Sequence, residues 1–196
     1  MIFEKNRTSN PVINKKIYTP QESESYCFPD QICAFTGHRP SKLKIKNEKD
    51  SDCVYIKKLL REEIMRAIDE GYTGFISGMA PGTDLWAAEI TMNIKLIYDI
   101  WNKNIHLYAA VPFAGQDKLW PDEIKERYYH ILNQCDGIFY ICQEGSNAAY
   151  LRRNDFLVNH ASKLIAVYNG SHGGTEYTIN HAKKKGVDVS IILPVK

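Results

Sequence analysis

The stretch LIAVYNGSHGGTEYTINHAKKKGVDVSIIL, Leu164 to Leu193, runs from an apolar segment through a loop with three glycines into a helical pattern, then back to an apolar segment. LIAVY (Leu164 to Tyr168) reads as a buried strand, Glu176 to Lys185 as a helix stopped by Gly186, and VDVSIIL (Val187 to Leu193) as the next strand. One glycine suffices for a tight turn, yet this loop places Ser171 and His172 among Gly170, Gly173 and Gly174. The surplus points to a ligand that must come close to the backbone.

The same alternation extends toward the N-terminus. Ile32–Thr36, Gly74–Ser77, Ile105–Phe113 and Gly137–Cys142 are short apolar runs. Helical patterns separate them: Asp52–Glu70, Asp84 to about Trp101, Pro121–Asn133 and Ser146–His160. Six such runs alternating with helices predict an α/β fold: a Rossmann-like, doubly wound, mostly parallel sheet with helices on both faces. Residues 31–196 form that domain in this reading, whereas residues 1–30 mix Pro, Ser, Asn and charge without a period and are expected to be an extended or disordered arm. Val12, Ile13, Ile17 and Tyr18 give the arm the means to dock on a partner.

Composition narrows the class. The 44% hydrophobic and 24% charged residues argue for a globular chain, and no apolar run is long enough to span a membrane. The five cysteines show neither Cys-x-x-Cys pairing nor zinc-ligand spacing, so reduced thiols in a cytoplasmic protein are expected, with no metal and no cofactor. A net charge of only +2 makes nucleic acid an unexpected partner.

In a doubly wound sheet, ligands bind beyond the carboxyl ends of the strands. The residues there are TGHRP (Thr36–Pro40), SGMAPGTD (Ser77–Asp84), QEGSN (Gln143–Asn147) and NGSHGGT (Asn169–Thr175). Glycines let backbone N–H groups approach an anion, and each following helix offers unpaired donors and a positive dipole end. Thr83 and Thr175 precede helices and suit either capping or phosphate binding. Arg39 suits a bidentate phosphate grip, His38 a base or ribose, and Asp84 either a cap or a ribose hydroxyl. Arg152 and Arg153 cannot face the same way, whereas Asn147, Tyr150 and Arg153 or Asn154 share a helix face suited to stacking and gripping a nucleotide. None of the loops is a G-x-G-x-x-G or Walker sequence.

Taken together, TGHRP, SGMAPGTDLWAAE (Ser77–Glu89) and the segment Arg152–Gly186 resemble the SLOG superfamily, specifically its YpsA-like branch, over about Ile32 to Leu193. The resemblance implies a Rossmann-like domain binding a nucleotide or nucleotide-derived ligand of ADP-ribose type. The matched positions are Gly37, Arg39, Gly78, Gly82, Asp84, Arg153, Asn154, Gly173, Gly174 and Thr175. Relatives include the Lonely Guy phosphoribohydrolases, DNA-processing protein A and sensor domains for cyclic ADP-ribose-like signals; a homodimer, common among them, is expected, with helix faces such as Ile90–Trp101 as its interface. The Lonely Guy loop places a glutamate two to three residues after its threonine, whereas here Glu176 directly follows Thr175 and is turned away by roughly 100–200°. Binding for sensing, signalling or sequestration is therefore favoured over cleavage of a nucleoside monophosphate, for which Glu89 and Glu176 are the carboxylate candidates. Single-stranded DNA binding is the third reading.

Overall fold

Among the described residues, seven parallel strands form one sheet in the order β1-β5-β4-β3-β2-β6-β7. The computed structural model describes residues 13, 15–28, 31–99 and 104–194. Along the chain the elements are β1 (Ile17–Tyr18), α1 (Pro20–Ser25), β2 (Ile32–Gly37), α2 (Ser51–Asp69), β3 (Gly74–Ser77), α3 (Thr83–Asp99) and β4 (His106–Val111). They continue with α4 (Asp122–Leu132), β5 (Gly137–Tyr140), α5 (Asn147–His160), β6 (Lys163–Val167), α6 (Gly174–Lys185) and β7 (Asp188–Ile192). The predicted α/β alternation is thus borne out, with one strand more than the six read from the sequence.

Continuous apolar strands arise because both faces of the sheet are covered. Alternate residues enter two separate cores. Cys33, Phe35, Phe75, Leu107, Ala109, Val111, Ile165 and Val167 pack with α2, α3 and α4. Ile32, Ala34, Ile76, Tyr108, Ala110, Leu164 and Ala166 pack with α5 and α6. On α2, Cys53, Ile56, Leu60, Ile64 and Ala67 recur at helical spacing and are fully buried, each of the larger ones contributing roughly 1.5–3 kcal/mol. Ser146 caps α5 by accepting a hydrogen bond from the Ala149 N–H, and α6 ends at Gly186 with φ 75°, the left-handed stop that glycine favours.

The N-terminal segment departs from the expected arm. Residues 15–28 are not an unstructured arm: β1 pairs in parallel with β5, and α1 is closed by a capping box between Thr19 and Glu22. Aromatic packing supplies the energy. Tyr18 stacks on Phe139 at 4.5 Å, while Tyr26 and Phe28 meet Phe139 and Tyr108 at 4.8–6.4 Å. A two-residue strand carries no periodic signal, so composition alone misassigned it. Residues 1–12, with Val12, and the C-terminal end of the third predicted helix at Trp101 lie outside the described residues.

The chain winds outward from β2 through β3 and β4 to β5, then returns to place β6 on the other side of β2. Loops leaving β2 and β3 lead to helices on one face, and loops leaving β5 and β6 lead to helices on the other. The strand order therefore reverses at β2 and β6, the position where such sheets open a crevice at their carboxyl edge.

Candidate functional site

A cleft of about 350 Å³ opens at that reversal, lined by Thr36, Gly37, His38, Arg39, Ser41, Lys42, Ala80, Asp84, Tyr150, Arg153, Asn154, Gly174 and Thr175. Four chain segments distant in sequence meet there.

The loop after β2 is held on three sides. His38 extends the β2–β6 ladder through its N–H to the Val167 carbonyl at 3.1 Å. Its buried ring contacts Ser171 Oγ at 3.2 Å and Thr175 Oγ1 at 3.3 Å. Burial holds the His38 pKa below its ordinary value, so a neutral imidazole ties the two glycine loops together. The Lys42 ammonium donates to the His172 carbonyl at 2.6 Å, and the Asn169 amide donates to the Lys42 carbonyl at 3.1 Å. From the third side, the Thr83 hydroxyl donates to the His38 carbonyl at 3.1 Å. Thr83 sits so close that a Cβ on Gly37 would overlap its side chain, which is why the β2 loop carries glycine there. Farther along, the Glu48 carboxylate accepts from Arg127, Lys57 and Trp86 Nε1 and anchors the same loop to α2, α3 and α4.

Arg153 and Asp84 form the floor. Both side chains are 8% exposed, with Nη1 at 3.2 Å from Asp84 Oδ2. Nη1 also donates to the Gly78 carbonyl, Nε to Asn154 Oδ1 at 3.0 Å, and Asp84 accepts the Ala80 N–H at 3.3 Å. Burial raises the Asp84 pKa against the lowering effect of Arg153, and burial likewise lowers that of Arg153. Gly78 makes the approach possible, because a Cβ there would strike the guanidinium and stand 2.7 Å from Asp84 Oδ2.

Arg39 differs from the other cations of the cleft. Among the described residues no side chain hydrogen-bonds or ion-pairs with its guanidinium, which is solvent-exposed at the rim. Since Arg153 and Asp84 cancel and His38 is neutral, Arg39 and Lys42 leave the cleft with an excess of positive charge.

Of the residues read from sequence, Gly37, His38, Arg39, Asp84, Arg153, Asn154, Gly174 and Thr175 line the cleft. Gly78, Gly82, Thr83 and Gly173 stand behind it. Gly82, with φ 96°, packs against Pro40; Thr83 braces His38; Gly173, with φ 146°, precedes the first turn of α6 beside Lys42. Neither carboxylate candidate lines it. Glu89 receives two hydrogen bonds of 2.7 Å from Arg127 between α3 and α4, and Glu176 receives one of 2.8 Å from His172 outside the cleft. Arg153 is the inward member of its pair and Arg152 is exposed. Tyr150 follows the helix-face reading, whereas Asn147 of the same face does not line the cleft. Thr36, Ser41, Lys42 and Ala80 were missed; the placement of Lys42, three residues after Arg39 within one turn, was the available signal.

A family model described as the YspA SLOG family matches residues 33–192. The chain belongs to the YspA SLOG family. UPF0398 proteins of Bacillus thuringiensis strain Al Hakam and Bacillus cereus strain AH187 are each 30% identical over 159 residues, covering 80% of this chain and 84% of theirs. The fold resembles DNA processing protein A of Streptococcus pneumoniae, with a TM-score of 0.57 at 18% identity, covering 85% of this chain and 51% of that one. It also resembles the Helicobacter pylori protein of that name, with a TM-score of 0.55 at 16% identity over 85% of this chain and 66% of that one.

The Helicobacter structure is described by its single-stranded DNA binding mode. The expectation that nucleic acid is an unexpected partner for this SLOG chain therefore does not stand. A total charge of +2 sums over the whole surface and says nothing of where cations gather; here Arg39 and Lys42 meet at one cleft whose Arg153 is already balanced by Asp84. Among the described residues no helix is long and apolar enough to cross a membrane, and no group of three or more His, Cys, Asp or Glu side chains is placed to hold a metal ion.

Proposed function

We propose that this SLOG protein binds a nucleotide or nucleotide-derived ligand of ADP-ribose type in the cleft and retains it without cleavage, for sensing, signalling or sequestration in the cytoplasm. The observation that carries the proposal is the Arg39 guanidinium, exposed above a cleft whose buried charges already cancel, beside the N-termini of α3 and α6. An anion there meets a planar donor fork and helix-end N–H groups together. Retention without cleavage rests on Glu89 and Glu176, which are both engaged elsewhere.

Thermal unfolding with AMP, ADP-ribose, NAD and cyclic ADP-ribose tests the binding. Ligand at 100 times its dissociation constant adds about 2.7 kcal/mol, which at about 2–4 °C per kcal/mol for a chain of this size raises Tm by roughly 5–11 °C. Arg39→Ala should abolish the rise. No rise with any of the four refutes the proposal, and free base found by chromatography after prolonged incubation refutes retention. Light scattering on the same samples reads the expected dimer.

A second reading, single-stranded DNA in the same cleft, is favoured by the fold shared with the Helicobacter protein. An oligonucleotide that binds with an affinity falling steeply with salt while the four small ligands fail would establish it instead.

A further inference from the structure

Tyr150 lies near the start of α5, lines the cleft beside Arg153 and Asn154, and belongs to neither hydrophobic core, unlike the buried Tyr108 and Tyr128. Its ring meets Phe113, which follows β4, edge to face, with centroids 5.5 Å apart and planes at 81°. Phe113 is held by the loop after β5, where Gly145 leaves room for its ring; a Cβ on Gly145 would stand 2.7 Å from it. A chain of packing from Gly145 through Phe113 thus sets the attitude of a half-exposed aromatic ring that the fold itself does not bury.

The cleft consequently has two unlike ends. Arg39, Lys42, Gly174 and Thr175 belong to the loops after β2 and β6, whereas Tyr150 and Phe113 belong to the side of β4 and β5. Two interstrand steps, about 10 Å in all, separate β2 from β4. Between the ends lies Asp84, a carboxylate suited to accept from a hydroxyl. A ligand complementary to the whole cleft is anionic at one end, hydroxylated in the middle and flat at the other.

We propose that Tyr150 is the platform on which the base of a nucleoside phosphate stacks, with the phosphate at the Arg39–Lys42 end. This inference rests on the nucleotide reading of the cleft and goes beyond it by assigning the base end and its residue.

Calorimetric titration of the wild type, Tyr150→Phe, Tyr150→Leu and Tyr150→Ala with the four nucleoside monophosphates and with ribose 5-phosphate tests it. The wild type and Tyr150→Phe should prefer at least one nucleoside monophosphate over ribose 5-phosphate by about tenfold or more. In Tyr150→Leu, which keeps the bulk, and in Tyr150→Ala that preference should fall to within about twofold, by loss of nucleotide affinity. Melting temperatures establish that the variants are folded. Wild type that binds all the ligands equally, or a leucine variant that keeps the preference, overturns the platform and leaves the anion end standing. Wild type that binds none of them overturns the platform for a nucleoside phosphate, whereas the nucleotide reading falls only if ADP-ribose, NAD and cyclic ADP-ribose fail as well.

Discussion

Replacing Arg153 by Met removes the cation from a pair whose two side chains are each 8% exposed. Asp84 would keep one hydrogen bond, from the Ala80 N–H, and the Gly78 carbonyl would lose its donor. Stranding one member of a buried pair costs about 3–5 kcal/mol, which for this chain length lowers Tm by roughly 6–20 °C. The pH dependence carries the mechanism. Burial already raises the Asp84 pKa with Arg153 in place, so without Arg153 it rises further. A carboxyl whose folded pKa lies above its unfolded value binds more protons in the folded state between the two values, so its stability increases as pH falls through that window. The gap between Arg153→Met and the wild type should therefore narrow as pH falls from 7 toward the folded wild-type Asp84 pKa, by at most about 1.4 kcal/mol per pH unit. Adding Asp84→Asn removes the stranded charge: the double variant should be more stable than Arg153→Met alone at pH 7 and should lack the gain on acidification that Asp84 gives the single variant. Chemical denaturation of the three proteins between pH 4.5 and 7.5 reads both quantities. A single variant within 1 kcal/mol of the wild type, as an order-of-magnitude threshold, or a gap that widens on acidification, refutes the account of Asp84 as a charge neutralised by Arg153.

Other outcomes follow from the same geometry. Gly37→Ala forces a methyl into the Thr83 side chain and should cost about 1–3 kcal/mol by denaturant titration. For Glu48, burial opposes ionisation but is outweighed by hydrogen bonds from Arg127, Lys57 and Trp86, which bring its pKa down to about 2. Its contribution is present above the ordinary value of 4.5 and is lost as pH falls toward 2, so Glu48→Gln should flatten acid unfolding in that window. Tyr18→Ala removes the ring stacked on Phe139 and should cost about 3 kcal/mol, accompanied by faster amide exchange at residues 15–28 than in the rest of the sheet.

The particular residues show which signals are readable. Ile32–Gly37 and Lys163–Val167 announce themselves because every residue is buried on one face or the other, apart from the last of β2, so no polar residue was needed between the apolar ones. Glycine loops mark the strand ends for a related reason: Gly37 and Gly78 are required by the side chains of Thr83 and Arg153, which press against them. Glu89 was ambiguous in sequence, because nothing in its neighbourhood along the chain foretells Arg127, 38 residues away on α4. His38 was readable as a site residue but not as a clasp, since its partners Ser171 and Thr175 lie more than 130 residues downstream.

The sequence by itself determined the α/β alternation, the helix stops and the glycine-bearing strand ends, because periodicity and backbone conformation are local consequences of residue type. Strand order, the inward choice of Arg153 over Arg152, the docking of residues 15–28 and the convergence of Arg39, Lys42, Asp84 and Tyr150 on one cleft were decided only in three dimensions. The physical reason is that burial, charge pairing and ring packing depend on distances through space between groups far apart along the chain. Such distances exist only once β6 has returned to lie beside β2.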